Sequence, residues 1–268
     1  MGTVLSFSTG EREIDIAALK ESSRSISPEL IAPATEDVEC ELATEHAAEP
    51  IKNIEDISRI SQYLIKNERY RDNMLFIVGI NFGLRVSDLR VLRFSNLIND
   101  NFTFKNSFPV FEKKTRNTRK KKKNRYITVN TAVMEAVTLY LENTKGVSLS
   151  DYMFRSESNR GKSDNFPLSI KSIDRILKGI ANDLSLNVKV STHTLRKTFG
   201  YWMMVRGGND NRRLLLLQKI FNHSTPAQTL EYIGITEEEI QDAYNSLNLG
   251  SMSHLIDSVA YEKEVDAG

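Results

Sequence analysis

The sequence predicts a mainly α-helical domain with a small antiparallel β-sheet, an α+β arrangement. Apolar residues recur at steps of three and four through most of the chain from Ile54 to Leu247. The pattern changes to short aromatic and β-branched runs only between Asn101 and Asn130. The first fifty residues hold no sustained period beyond a short turn around Ile14 to Leu19.

In order, "IEDISRISQYLIKN" sets Ile54, Ile57, Ile60, Leu64 and Ile65 on one amphipathic helical face. "YRDNMLFIVGINFG" is apolar almost throughout and predicts a buried helix that stops at Gly83. "VSDLRVLRF" opens another, with Ser87 and Asp88 near its first turn. "NFTFKN", "FPVFEKK" and "RYITVN" predict three short strands. Helices then return at Thr131 to Asn143, Ser169 to Asn182, Thr192 to Arg206, Asn211 to Asn222 and Pro226 to Ile233. A last helix, opened by the capping-box pattern from Thr236 to Glu239, runs to Leu247. No internal repeat is visible.

Composition narrows the class. The chain has 268 residues, 40% apolar and 26% charged, which suits one domain with flexible additions or two small domains. Its one cysteine, Cys40, allows no internal disulfide, and no secretory leader pattern is present. The longest uncharged apolar stretch, Asn73 to Leu84, is 12 residues, too short to cross a bilayer. A cytoplasmic protein is expected, nucleoid-associated in a prokaryote, with no membrane span.

The net charge of +1 hides an asymmetry. Residues 1–50 carry 3 Lys+Arg against 11 Asp+Glu, a balance of −8, and the remainder carries +9. With Pro28, Pro33 and Pro50, residues 1–50 read as an acidic, disordered tail or linker. The folded unit is expected over residues 51–249, with a C-terminal tail at 250–268. Within that unit, "KKTRNTRKKKKNR" (Lys113 to Arg125) holds 9 basic residues in 13. An isolated run of this kind is often only a solvated loop. Between two predicted strands it becomes a hairpin tip, where concentrated positive charge can follow phosphates or enter a groove. Lys113, Arg116, Arg119, Lys120, Lys121, Lys122, Lys123 and Arg125 are therefore candidate nucleic-acid contacts.

The chemistry lies in "STHTLRKTFGYWMMVRGG" and "KIFNHSTPAQTLEYIGI". On a helix, His193 and Arg196 are three residues apart and project from one face. Arginine offers a planar fork matched to phosphate oxygens, and histidine near neutrality both accepts and donates a proton. The pair suits a phosphodiester. Arg85, directly after Gly83 and Leu84 at the mouth of a helix, adds a second guanidinium beside backbone donors that favour an anion.

"GLRVSDL", "HTLRKTF" and "FNHSTPAQTLEY", in that order, resemble the three boxes of the tyrosine recombinase (phage integrase) family over Ile54 to Leu247. The resemblance implies that family's catalytic-domain fold and a set of roles. Arg85 and Arg196 clamp the scissile phosphate, and His193 accepts a proton. His223 supports the phosphate, Tyr232 is the nucleophile, and Asp88 supports the pocket. A phenol of pKa about 10 is only roughly one part in a thousand ionised at neutral pH, so Tyr232 needs a base and a positive field. The expected product is a 3′-phosphotyrosine and a free 5′ hydroxyl, with neither ATP nor a metal or other cofactor required.

The family's hairpin lysine, which protonates the leaving oxygen, aligns with Lys114 through "KKT", whereas counting back from "RYITVN" points to Lys120 or a neighbour. The segment before the domain is short for the clamp-shaped members. The chain thus resembles catalytic-domain-only recombinases, or a member whose second clamp half comes from an accessory protein. Double-stranded DNA is the expected partner, with self-association into a tetramer on it. Two other activities fit similar residues: type IB topoisomerase-like relaxation, and non-catalytic DNA binding by the same fold.

Overall fold

Helix α1 (Ile54–Lys66) starts where the Asn53 side chain accepts a hydrogen bond from the Glu55 N–H at 2.8 Å, capping an orphan donor. Glu55 and Asp56 in its first turn and Lys66 in its last complement the helix dipole. The computed structural model of the chain describes residues 48–110, 125–157, 165–207 and 211–234. The predicted apolar face of α1 is narrower than expected: Ile60 and Leu64 are buried, but Ile54 and Ile65 are exposed. The Tyr63 hydroxyl instead ties α1 to a distant part of the chain by donating to Asp183 Oδ2 at 2.7 Å, a bond that holds the phenol above its ordinary pKa.

Helix α2 (Tyr70–Phe82) is central among the described elements and packs against α1, α5 (Thr131–Asn143) and α7 (Thr192–Val205). Its apolar run buries Met74, Leu75, Phe76, Val78 and Phe82. Gly83 ends it in the left-handed region at φ 56°, and a Cβ there would also collide with the Phe199 ring. Two four-residue helices follow, α3 (Val86–Leu89) and α4 (Phe94–Leu97).

The sheet holds two strands among the described residues, β1 (Ser107–Val110) and β2 (Arg125–Thr128), antiparallel with Phe108 opposite Ile127. Both of these residues are buried, and the Phe108 ring meets Phe82 edge-on at 5.4 Å. The third expected strand, "NFTFKN", makes only an isolated bridge between Phe104 and Ile98. Positive φ at Phe102 (60°) and the Asx-type bond from Thr103 N–H to Asn101 Oδ1 turn the chain before an extended run can build.

Helices α5 (Thr131–Asn143), α6 (Ile170–Asp183), α7 (Thr192–Val205), α8 (Asn211–Phe221) and α9 (Pro226–Tyr232) fall within a residue or two of their expected bounds. Asn130, Ser169, Ser191 and Thr225 each cap the helix that follows. The expected helix from Thr236 to Leu247 lies outside the described residues.

Two cores result. The larger is shared by α1, α2, the sheet, α5 and α6, with Leu195 of α7. The smaller consists of Met204, Leu217, Phe221 and Ile233, with Phe199, Leu230 and Tyr232 partly buried against it. Gly200 lets α8 and α9 approach α7 closely: a Cβ at that position would lie 2.6 Å from Ile233 Cγ2 and 2.9 Å from Phe221 Cε2. Among the described residues, those before α1 also pack on the domain, and Ala48 is buried. Glu49 N–H donates to Lys189 O at 2.9 Å, Ile51 N–H donates to Thr198 Oγ1 at 2.9 Å, and Trp202 Nε1 donates to Ile51 O at 2.9 Å. Among the described residues no helix is long and apolar enough to cross a membrane.

Candidate active site

Helix α7 carries His193 and Arg196. Ser191 and Thr194 form a reciprocal capping box that fixes its first turn, so His193 sits in a rigid segment and is 5% exposed. Its Nδ1 lies 3.2 Å from the Tyr232 hydroxyl, within hydrogen-bond reach of the proton it would take. Thirty-nine residues of separation are closed by the smaller core, which holds the last residue of α9 against the first turn of α7.

Arg196, three residues on, is 2% exposed. It donates from Nη1 to Gly83 O at 2.5 Å and from Nη2 to Phe221 O at 3.1 Å, and its guanidinium stacks 4.3 Å from the Phe221 ring centroid. Those bonds fix the plane of the fork and join the ends of α2 and α8. Arg85 lies two residues beyond Gly83, half-buried, in extended backbone at the N-cap of α3. Asp88 is 4% exposed on that helix, and its N–H donates to Arg85 O at 3.0 Å.

His223 stands between α8 and α9. Asn222 takes the left-handed conformation at φ 56° and turns the chain. The imidazole is then held from its Nδ1 edge by Thr229 Oγ1 at 3.1 Å, and its ring lies 5.1 Å from that of Tyr232. Thr229 is fully buried and its hydroxyl also donates to Thr225 O at 3.4 Å. The geometry therefore brings His193, Arg196, His223 and Tyr232 together.

The expected nucleic-acid contacts Lys113, Lys114, Arg116, Arg119, Lys120, Lys121, Lys122 and Lys123 lie outside the described residues. Arg125 is described. It is part-buried and donates to Phe82 O at 3.0 Å and Ile220 O at 3.2 Å. The helix C-termini at these carbonyls attract a cation, and β2 delivers one there.

Sequence reasoning also missed Thr229, Gly200 and Lys197. Lys197, 6% exposed, places Nζ 5.2 Å from the Tyr232 ring centroid. A hydroxyl at the sixth residue after His223 was a signal for Thr229. Nothing in the local pattern marked Gly200.

A buried helix directs an imidazole at a phenol, with an arginine one turn on and a second imidazole against the same phenol, an arrangement whose chemistry suits nucleophilic attack on a phosphodiester. The chain belongs to the phage integrase family, whose family model matches residues 51–239, and so is a tyrosine recombinase by membership. The "Probable integrase/recombinase YoeC" of Bacillus subtilis (strain 168) is 36% identical over 199 residues, 74% of this chain and 96% of the relative. In fold, the chain matches the crystal structure of XerA recombinase with TM-score 0.52 at 20% identity, over 74% of this chain and 63% of that one. It matches XerH recombinase bound to palindromic difH substrate, in the post-cleavage complex, with TM-score 0.51 at 15% identity, over 72% of this chain and 51% of that one. The chain thus spans nearly all of the Bacillus relative and between half and two thirds of the two solved structures.

Proposed function

We propose that this chain is a site-specific recombinase that cuts and rejoins DNA strands through Tyr232. The observation that carries the reading is the 3.2 Å approach of His193 Nδ1 to the Tyr232 hydroxyl, beside a fixed Arg196. In the step this supports, neutral His193 accepts the phenolic proton at Nδ1. The phenolate oxygen attacks phosphorus, and the P–O5′ bond breaks. A 3′-phosphotyrosine forms and the 5′ oxygen leaves, taking a proton from a general acid, for which Lys114 of the hairpin is the candidate.

Arg85 and Arg196 stabilise the negative charge that builds on the phosphate oxygens, and His223 adds a hydrogen bond to it. The bond energy is kept in the phosphotyrosine ester, so a different 5′ hydroxyl can reverse the step and exchange strands. Recombination is favoured over relaxation by the naming of the Bacillus relative and by the XerA and XerH fold. DNA as partner is supported by the difH complex of XerH. The catalytic unit on this reading is residues 51–249, with a tetramer on DNA as the assembly and the nucleoid as its place of action. The remaining hairpin lysines and arginines bind phosphates, and an accessory protein supplies any second clamp half.

The test uses duplexes with a randomised centre and a strand nick that lets the cleaved 5′ end diffuse away. Species that survive denaturation are collected and sequenced. Covalent complexes converging on one sequence are expected, and none from Tyr232→Phe. Relaxation of supercoiled plasmid without any site preference would favour the topoisomerase reading instead.

A further inference from the structure

We propose that the outer face of α7 formed by Tyr201, Trp202, Val205 and Arg206 is a docking surface for the chain's own acidic segment, Thr35 to Ala47. The proposal does not depend on the chemistry at Tyr232.

His193, Arg196 and Gly200 share the stripe of α7 that meets Tyr232 and the smaller core. Tyr201, Trp202, Val205 and Arg206 fall on another stripe, and it is not covered: Val205 is 40% exposed, Arg206 is exposed, and both rings are half-buried. The rings are held in place. Trp202 Nε1 donates to Ile51 O at 2.9 Å, and the Tyr201 and Trp202 rings meet edge-on at 5.6 Å. A cation flanks each ring, with Lys52 Nζ 5.4 Å from the Tyr201 centroid and the Arg206 guanidinium 5.9 Å from that of Trp202. No acidic residue stands on α7. Fixed aromatic rings beside an exposed arginine are what binding surfaces use as anchors, because little side-chain freedom is left to lose on contact.

Charge and reach select the occupant. Residues 48–234 carry 32 Lys+Arg against 17 Asp+Glu, whereas Thr35 to Ala47 holds five acids, Glu36, Asp37, Glu39, Glu41 and Glu45, and no Lys or Arg. Val38 and Leu42 stand among those carboxylates, apolar groups to set against the two rings and Val205. The segment joins the domain at Ala48, whose carbonyl accepts a bond from Lys197, one helical turn before Tyr201. Cys40 is eight residues upstream of Ala48 and so reaches about 28 Å from it at most, several times the roughly 8 Å length of the stripe. A tether this short gives an effective concentration on the order of millimolar, so a contact too weak to form between separate molecules is occupied within one chain.

The chain carries its own reporters, since Trp202 is its one tryptophan and Cys40 its one cysteine. The full chain is labelled at Cys40 with a nitroxide, and Trp202 emission is compared before and after the nitroxide is reduced. Quenching by about half is expected at low salt, falling at least about threefold in about 1 M sodium chloride, where the Debye length is about 3 Å. The same fall is expected in Arg206→Glu, and when Glu36→Gln, Asp37→Asn, Glu39→Gln, Glu41→Gln and Glu45→Gln are combined. The combined variant lies outside the domain, so it decides the matter where Arg206→Glu melts early. Absence of quenching at low salt, or quenching that neither salt nor the combined variant reduces, overturns the proposal. Quenching that grows with protein concentration overturns docking within one chain and assigns the surface to a second copy.

Discussion

Arg125 and Arg196 grasp consecutive carbonyls at the same two helix ends. Arg125 bonds Phe82 O and Ile220 O, and Arg196 bonds Gly83 O and Phe221 O. One guanidinium comes from the sheet and the other from α7, and together they staple the end of α2 to the end of α8. In sequence, the basic run from Lys113 leads directly into Arg125.

That relationship separates Arg125 from the lysines before it. Arg125→Gln is expected to lower stability by about 2 kcal/mol, since charge-assisted bonds to part-buried carbonyls are lost, and to slow cleavage about tenfold. Its salt dependence of DNA affinity should stay near wild type. Replacing Lys121, Lys122 and Lys123 with Ala should instead weaken binding to all sequences and flatten that salt dependence. Filter binding across a salt series, with a thermal melt, distinguishes them. A flattened slope in Arg125→Gln would return Arg125 to the DNA-contact group.

Arg196→Ala removes both a staple and half of the proposed phosphate clamp. Cleavage is expected to fall by two orders of magnitude or more, about 3 kcal/mol of transition-state stabilisation. Single-turnover cleavage at saturating protein measures it, and near-normal cleavage would remove Arg196 from the phosphate.

Tyr232→Phe should abolish the covalent adduct while leaving duplex affinity within about twofold, because affinity comes from the basic surface. Residual adduct, mapped by peptide mass, would move the nucleophile to another tyrosine.

Thr229→Val keeps the volume at a fully buried site and deletes the hydroxyl that holds His223 Nδ1. Stability should fall by about 1–2 kcal/mol and cleavage by roughly tenfold. Thr229→Ser, which keeps the hydroxyl, should retain most of the rate. Equal rates in the two variants would show that His223 needs no tether.

Gly200→Ala sets two effects in opposition. Alanine improves helix propensity by about 1 kcal/mol, but its methyl would overlap Ile233 and Phe221, at about 1–3 kcal/mol. The overlap wins. Melting should fall by less than about 10 °C, whereas cleavage falls more steeply, because the displaced groups flank Tyr232. A variant with full cleavage and a higher melting temperature would refute this packing argument.

Most of the fold was legible because its signals are local. Gly83 after an apolar run, and Asn130, Ser169, Ser191 and Thr225 at helix starts, say where elements begin and end without tertiary knowledge. The lost strand at "NFTFKN" turned on a positive φ at Phe102, which a Phe does not advertise. In the site, His193, Arg196, His223 and Tyr232 stood out by spacing. Their supports did not, since Arg125, Lys197 and Gly200 act through contacts with residues far away in the chain. Arg125 is also the last cation of a basic run, so composition grouped it with the nucleic-acid contacts, and its bonds to Phe82 O and Ile220 O were not visible there.

The smaller core gives Tyr232 a mounting separate from the larger core. Met204, Leu217, Phe221 and Ile233 are few, and among the described residues they are joined to the rest along α7, by the two arginine staples, by the close approach at Gly200 and by the contact between Pro50 and Gly234. A unit so lightly fastened opens at a lower free energy than the whole fold. Warming or mild denaturant should therefore disarm the enzyme while α1, α2, α5 and α6 remain folded. Loss of cutting would precede loss of structure, and cooling would restore it.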